Sequence, residues 1–389
     1  MNGLDDAVEL TPAEIAALAE RYDAGNTDVP DEVHRAALDA LTHEAEELGL
    51  YEPEPRRWFQ PLADAADEFV YQSRTLSERV FTGIDTFDEA MRGLGPKELM
   101  IVQGYAHSGK TLWVTHMLRY NKHRRVVLFT PDESRVLTLV KLVSLEHGVS
   151  AVDLEHRLER GDETAEQLIR DTANRDFPNL AVFDEIDDIH TMTAALDEVE
   201  DHWGAEAELV IFDYVDLLSN GAVDAGGDTK TKMKALKAWG KKRKLRLVLL
   251  HQSSRTAGAD GQEQTISSGG YGGEAEATYL IGVRRKRDYW RARIRDLEER
   301  QRSQTNPSNR LQEMLEEAKW ELRRHQDTVT FNVVKNKRPP STLVDEADFT
   351  LDRLTGRISP FEGAFATTST LGTAARAWVR TQGEPLEMF

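Results

Sequence analysis

The sequence of 389 residues contains no cysteine, so it can form neither disulfide bonds nor thiolate-ligated metal centres. It also contains no apolar run close to the roughly 18 residues that a membrane-spanning helix needs. Its first residues lack the basic and apolar regions of a secretory signal sequence. These absences lead us to expect a cytoplasmic globular protein.

Lysine is missing from the first 70 residues, and this absence explains most of the net charge. The whole chain carries a formal net charge of −19. The first 70 residues hold 18 acidic residues against four arginines, whereas residues 229–246 hold nine basic residues and no acidic one. Because a polyanion responds to local charge, the acidic total does not exclude a nucleic-acid partner.

Hydrophobic periodicity divides the chain into three regions. Residues 1–78 are predicted to be an acidic helical segment that ends in a helix over 62–77. Residues 79–360 alternate short apolar strands with crossover helices, which predicts an α/β fold with a largely parallel twisted sheet flanked by helices. A charged helical hairpin is predicted as an insertion over 288–325, and residues 361–389 are predicted to be a flexible tail. The predicted strands are 98–104, 125–130, 180–185, 208–218, 245–252, 278–284 and 328–336.

The stretch Gly104–Thr111, GYAHSGKT, fits the phosphate-loop pattern G-x-x-x-x-G-K-[ST]. Such a loop wraps phosphates with backbone N–H groups, and the following helix adds a favourable dipole. The pattern follows a predicted strand and opens a predicted helix, whereas the alternative is a glycine turn before an ordinary helix. We expect ATP, with Lys110 on its terminal phosphates and the Thr111 hydroxyl on Mg²⁺. The predicted nucleotide-binding residues are Gly104, His107, Ser108, Gly109, Lys110, Thr111 and Leu112.

A second apolar strand, LVIFDYVDLL, offers a carboxylate for the metal at Asp213. Asp216 is the competing candidate, although it falls beyond the predicted end of the apolar run. A strand-terminal aspartate can also cap a turn. Beside a phosphate loop, the metal role is the favoured interpretation.

The run Thr82–Thr111, TGIDTFDEAMRGLGPKELMIVQGYAHSGKT, resembles the ATPase domain of DnaB-type replicative helicases, in the RecA-like superfamily. The resemblance extends over residues 79–360. It implies a RecA-like P-loop core, ATP and Mg²⁺ as cofactors, and a homo-oligomeric ring, typically a hexamer, that translocates on single-stranded DNA. The sequence indicates no fused primase, and a phage-encoded member is one interpretation.

Two further motifs extend the resemblance to catalytic residues. VVLFTPDES resembles the strand end with the family's water-activating glutamate, at Glu133 here, with Asp132 as the alternative. LVLLHQSSR resembles the strand that ends in a phosphate-sensing glutamine, at Gln252 here. GGEAEATYLIGVRR resembles the segment before the next strand, but Thr278 stands where the family usually has an acid.

The motif FNVVKNKRPPS resembles a strand end whose basic residues reach the nucleotide of the neighbouring subunit. Lys335 matches the first basic position, and Lys337 stands where arginine is usual, with Arg338 one place later. An ammonium and a guanidinium bind phosphate differently, so Lys337 and Arg338 both remain candidates. A solvated basic strand end is the other interpretation. The helix over 62–77 would likewise dock on the neighbour, through Leu62, Ala66, Phe69 and Val70.

Two segments rich in Gly, Ser and Thr follow the Asp213 and Gln252 strands, and such loops line the ring channel in this family. Their hydroxyl and N–H groups suit phosphate contacts without sequence readout. The basic run is equally consistent with a solvated helix face. The predicted DNA-binding residues are Lys230, Lys232, Lys234 and Arg255.

Two other functional hypotheses stay open. A RecA-like recombinase that exchanges strands in a filament would share the nucleotide site. A nucleotide-switched regulator or loader would instead bind replication proteins through the N-terminal segment or the C-terminal tail, without translocating. DNA-stimulated hydrolysis and the form of the assembly on DNA would distinguish them.

Overall fold

The structure, a computed structural model, describes residues 62–218, 229–253, 263–265, 277–304, 308–338 and 346–361. The predictions for residues 1–61, for Arg255 and for the tail from residue 362 therefore lie outside the described residues. The chain divides into two compact units, Met1–Val70 and Tyr71–Phe389. The described part of the first unit, residues 62–70, is helical.

The described ranges contain ten α-helices and nine strands. The helices are α1 (Leu62–Arg74), α2 (Asp85–Met91), α3 (Lys110–Tyr120), α4 (Arg135–His147), α5 (Ala151–Glu159), α6 (Glu163–Asp171), α7 (Ile189–Trp203), α8 (Thr229–Lys242), α9 (Lys286–Ser303) and α10 (Asn309–Arg324). The strands are β1 (Leu99–Gly104), β2 (Val126–Phe129), β3 (Leu180–Phe183), β4 (Leu209–Phe212), β5 (Leu247–Gln252), β6 (Tyr279–Arg285), β7 (Thr328–Asn336), β8 (Glu346–Leu351) and β9 (Ile358–Pro360).

These strands form one sheet in the order β3-β2-β4-β5-β1-β6-β7-β8-β9. All pairs from β3 to β6 are parallel, and β7, β8 and β9 continue the sheet in antiparallel fashion. Parallel strands need crossover connections, and helices supply most of these here. The predicted α/β fold with a largely parallel sheet is confirmed.

Both faces of the sheet are buried, as the unbroken apolar runs of its central strands require. Alternate strand residues point to opposite faces, so Met100 and Val102 of β1 join one core and Leu99 and Ile101 join the other. The first core is closed by side chains of α2, α3 and α4, including Phe87, Trp113, Met117 and Leu142. The second is closed by α7 and α8, through Met192, Leu196, Met233, Leu236 and Trp239.

The hairpin insertion is present as α9 and α10, and it has a small core of its own. Its buried side chains are Leu297, Leu311, Leu315 and Ala318, with Trp290, Ile294 and Met314 packed against them. The predicted strand over 208–218 is too long, because β4 ends at Phe212 and Val215–Leu217 form a 3₁₀ turn. No helix in the described ranges is long and apolar enough to cross a membrane.

Candidate nucleotide-binding site

Three neighbouring parallel strands bring the candidate residues to one edge of the sheet. β1 lies next to β5, with Gly104 paired to Gln252, and β4 lies on the other side of β5. Asp213 directly follows the last residue of β4. Because the carboxyl ends of parallel strands meet at the same edge, the phosphate loop, Asp213 and Gln252 converge there.

The phosphate loop is a tight cradle that depends on two glycines. A side chain at Gly104 would come within 2.4 Å of Ser108 Oγ and 2.5 Å of the Val283 carbonyl oxygen. Gly109 has a φ of +109°, which side-chain-bearing residues rarely adopt, and it caps the start of α3. The Ser108 hydroxyl is buried and has no hydrogen-bond partner in the described structure. A phosphate group bound in this cradle would supply an acceptor for that orphaned hydroxyl, so the residues fit a nucleotide.

Lys110, the first residue of α3, folds back over the loop. Its Nζ donates to the carbonyl oxygens of Gly104 and Tyr105, both at 2.9 Å. Burial lowers the pKa of Lys110, although the carboxylates of Asp213 and Asp216 oppose this shift. The ammonium is thus held at the position where an anion in the loop would meet it.

Asp213 lies beside the next residue of the loop. The Thr111 hydroxyl donates to Asp213 Oδ2 at a long 3.4 Å. Burial raises the pKa of Asp213 to about 6; Lys110 opposes this shift and the Glu133 carboxylate adds to it. A hard divalent cation prefers such oxygen ligands and would favour the ionised carboxylate, so Thr111 and Asp213 fit the predicted Mg²⁺.

Asp216, the competing carboxylate, points to a different set of partners. Its Oδ2 accepts from His251 Nδ1 and from the backbone N–H of Gln252, both at 3.2 Å. Its Oδ1 accepts from Thr229 Oγ1, the first residue of α8, at 3.4 Å. Asp216 therefore ties the end of β5 to the start of α8, while Asp213 is the carboxylate that contacts Thr111.

Glu133, the predicted general base, follows β2 and is engaged by α4. Its Oε1 accepts from Thr138 Oγ1 at 3.4 Å, and its Oε2 forms an ion pair with Lys141 Nζ. Asp132, the alternative, is exposed. Lys141 was not among the residues singled out from the sequence; the available signal was a cation on the same helix face as Thr138, three positions away.

The predicted basic strand end lies at the opposite edge of the sheet. β7 runs antiparallel to β6, so its last residue, Asn336, pairs with Tyr279, the first residue of β6. The backbone N–H of Lys337 donates to the Thr278 carbonyl at 3.0 Å. Since β6 rises by about 3.3 Å per residue, roughly 20 Å separates this edge from the chain's own phosphate loop. Lys335 and Lys337 are therefore too far away to serve that loop.

The two candidates for the arginine position have different environments. Arg338 donates through Nε and Nη2 to the two carboxylate oxygens of Glu98, at 3.1 and 2.7 Å, and its guanidinium lies over the Tyr279 ring. Its charge is thus already satisfied within its own subunit. Lys337 is exposed.

The predicted DNA-binding lysines separate in the same way. Lys232 is 8% exposed and its Nζ donates to the Asp216 carbonyl oxygen at 3.0 Å, so its ammonium is committed to the protein interior. Lys234 is exposed on α8. Lys230 lies in the first turn of α8, but its side chain, like Arg255, lies outside the described residues.

A phosphate loop between a central parallel strand and its helix, with an aspartate and a glutamine on the next strand ends, defines a RecA-like P-loop ATPase. The family model of the DnaB-like helicase C-terminal domain matches residues 80–268. The chain thus carries a DnaB-type helicase ATPase domain, and it is an ATP-hydrolysing enzyme of the replicative-helicase type.

Solved structures with this fold include two DnaB-related proteins. One is an ATPase domain, which superimposes with a TM-score of 0.59 at 13% sequence identity, over 78% of this chain and 99% of that chain. The other is a DnaB-like replicative helicase, described with its interactions with primase, which superimposes with a TM-score of 0.58 at 14% identity, over 89% of this chain and 75% of that one. At these identities the likeness establishes the fold. No curated protein matches the chain.

Proposed function

We propose that the protein is a Mg·ATP-dependent DNA helicase that works as a homo-oligomeric ring on single-stranded DNA, without a fused primase. Residues 79–360 would be its ATPase domain, with the hairpin over 288–325 as an insertion. One observation carries this proposal above all. The chain has a phosphate loop at one edge of its sheet and a lysine-bearing strand end at the other, so one subunit's lysines can meet the next subunit's nucleotide.

In the proposed site, the chain's own residues bind and orient the nucleotide. The loop from Gly104 to Leu112 wraps the phosphates with backbone N–H groups, and Lys110 pairs with the terminal phosphates. Thr111 and Asp213 hold the metal, which supplies charge neutralisation on the phosphate oxygens. Glu133 accepts a proton from the attacking water, and Gln252 contacts the terminal phosphate from the adjacent strand end.

The neighbouring subunit completes the site through Lys335 and Lys337. We favour Lys337 over Arg338 because Glu98 holds the Arg338 guanidinium in a bidentate pair. A contact between opposite edges of identical subunits is heterologous, and it closes into a ring when its rotation divides a full turn. The exposed side chains of Leu62, Phe69 and Val70 on α1 offer a second apolar contact to the neighbour.

DNA would contact the ring through α8 and the two loops that flank it in the fold. Lys234 is exposed, and Lys230 precedes it by one helical turn, so both can pair with backbone phosphates. Arg255, directly after β5 and Ser253–Ser254, would carry the phosphate-sensing movement of Gln252 to the DNA. Lys232 is not part of this proposed surface, because its ammonium is buried against Asp216.

Unwinding of a forked DNA with a free 5′ tail, in ATP and Mg²⁺, tests the proposed function. Wild-type protein should separate the strands, Lys110→Ala should not, and the exposed hairpin variant Lys319→Ala should behave as wild type. Unwinding by Lys110→Ala would overturn the assigned site. Open filaments with strand exchange would indicate the recombinase, and ATP binding without DNA-stimulated turnover would indicate the regulator.

A further inference from the structure

The ion pair between Glu133 and Lys141 lies inside the proposed catalytic site, and the proposed reaction does not use it. Glu133 lies just before α4, and Lys141 lies on that helix, eight positions along the chain. Thr138 shares a helix face with Lys141 and donates to the other oxygen of the same carboxylate. Both oxygens of Glu133 are therefore engaged by α4. The Glu133 side chain is 15% exposed and that of Lys141 is 37% exposed.

This arrangement conflicts with the work of a general base. Such a base needs a carboxylate oxygen within hydrogen-bond reach of the attacking water and free to take its proton. An oxygen paired with an ammonium is stabilised in its ionised form and is a weaker proton acceptor. Before it can activate water, Glu133 has to leave Lys141.

We propose that Lys141 is a positioning residue that restrains ATP hydrolysis, holding Glu133 on α4 until the subunit is engaged with DNA. This inference rests on the proposed function, in which Glu133 is the base. Lys141 suits a releasable restraint because its stem is partly exposed, so its ammonium can return to water at little cost. Its charge also reaches Asp213, which places it in the same carboxylate cluster.

Steady-state ATP hydrolysis by Lys141→Met, with and without single-stranded DNA, tests the restraint. We expect the rate without DNA to rise about two- to fivefold, the range that a partly exposed ion pair permits. The rate with saturating DNA should stay near that of wild type, so the stimulation ratio falls. Lys141→Arg, which keeps the pair, should restore the wild-type ratio.

A matched control is available at the other end of α4. Lys122 pairs with Glu146 at 2.8 Å, in a similarly exposed ion pair remote from the phosphate loop. Lys122→Met should leave both rates unchanged. An equal rise in Lys122→Met would mean that loosening α4 in general, and not freeing Glu133, accelerates hydrolysis, and it would overturn the proposal.

A second readout needs neither nucleotide nor activity. Urea unfolding of wild type, Glu133→Gln, Lys141→Met and the double variant forms a double-mutant cycle in the nucleotide-free protein. We expect the second substitution to cost less stability than the first, since either one breaks the pair. Full additivity would overturn the proposal.

The two activity measurements also separate this inference from the proposed function. If wild type hydrolyses ATP but Lys141→Met shows an equal or lower DNA-free rate, the restraint is wrong and the helicase proposal stands. If wild type does not hydrolyse ATP with or without DNA, the proposed function fails and the restraint fails with it.

Discussion

At the scale of single residues, Asp213 and Asp216 show how two similar carboxylates acquire different roles from their surroundings. Asp213 contacts Thr111 and has its pKa raised to about 6 by burial, whereas Asp216 accepts hydrogen bonds that tie β5 to α8. We expect Asp213→Asn to lower the turnover number for ATP roughly 100-fold or more, because a fixed charge at the phosphates is lost. Its folding stability should change little, since a costly buried charge is removed.

Asp216→Asn is the matched substitution. It should lower the free energy of unfolding by about 1–3 kcal/mol, because His251 and the Gln252 backbone lose a charged acceptor. Urea unfolding and ATP turnover of both variants check these expectations. Full activity in Asp213→Asn, together with stable but inactive Asp216→Asn, would exchange the two assignments.

The sequence predicts residue positions in this site better than it predicts their contacts. Gly104 to Thr111 and Asp213 are identified by a pattern of residue types at fixed spacing, because backbone N–H groups and metal ligands require that spacing. The choice between Lys337 and Arg338 stayed open, since the deciding contact joins Arg338 to Glu98, 240 positions away. The pairing of Glu133 with Lys141 was missed because any helix face can carry a solvated lysine.

At the scale of secondary-structure elements, the packing of α3 against the turn between β8 and β9 predicts an acid-sensitive contact. His116 of α3 is 9% exposed, and its Nε2 lies 3.2 Å from the Gly356 carbonyl oxygen, where the neutral ring can donate. Burial lowers the pKa of His116 to about 4, a shift that the hydrogen bond to Gly356 opposes and the nearby Arg119 increases. The unfolded chain has the ordinary value near 6.5.

The sign of the effect follows from these two values. Between about pH 6.5 and pH 4 the unfolded state binds the proton and the folded state does not, so stability is lost as the pH falls through that window. At one-to-one linkage the loss is about 3 kcal/mol at most. We expect His116→Gln, which can still donate to Gly356 but does not titrate, to lose less stability between pH 7 and pH 4.5 in urea unfolding. Parallel losses in both proteins would show that other groups cause the acid sensitivity.

The elements that the sequence predicts and those that it misses differ in burial. The strands β1 to β7 were all predicted, because central strands of a covered sheet are continuous apolar runs. β8 was missed: only Phe349 is buried along it, so it lacks the run or the clear alternation that indicates a strand. β9 is three residues long and ends in Pro360, which is tolerated at the edge of a sheet.

At the scale of the whole molecule, the separation of the phosphate loop from Lys337 predicts complementation between inactive subunits. Lys110→Ala destroys the subunit's own loop but leaves its Lys337 for a neighbour. Lys337→Ala leaves the loop but cannot complete the next site. In an equal mixture of the two, about a quarter of the heterologous interfaces are intact under random assembly. We expect the mixture to recover up to that share of the wild-type ATP turnover, although each variant alone is inactive.

The matched control mixes Lys110→Ala with Asp213→Asn, two variants that damage the same half of the site. None of their interfaces has an intact loop, so this mixture should stay inactive even when pull-down of differently tagged subunits shows that they assemble together. Recovery in this control would mean that Lys110 and Asp213 do not act on one nucleotide. Co-assembly without recovery in the first mixture would mean that Lys337 does not act across the interface. Complementation by Arg338→Ala in place of Lys337→Ala would transfer the trans role to Arg338, which would then have to leave Glu98 in the assembled ring.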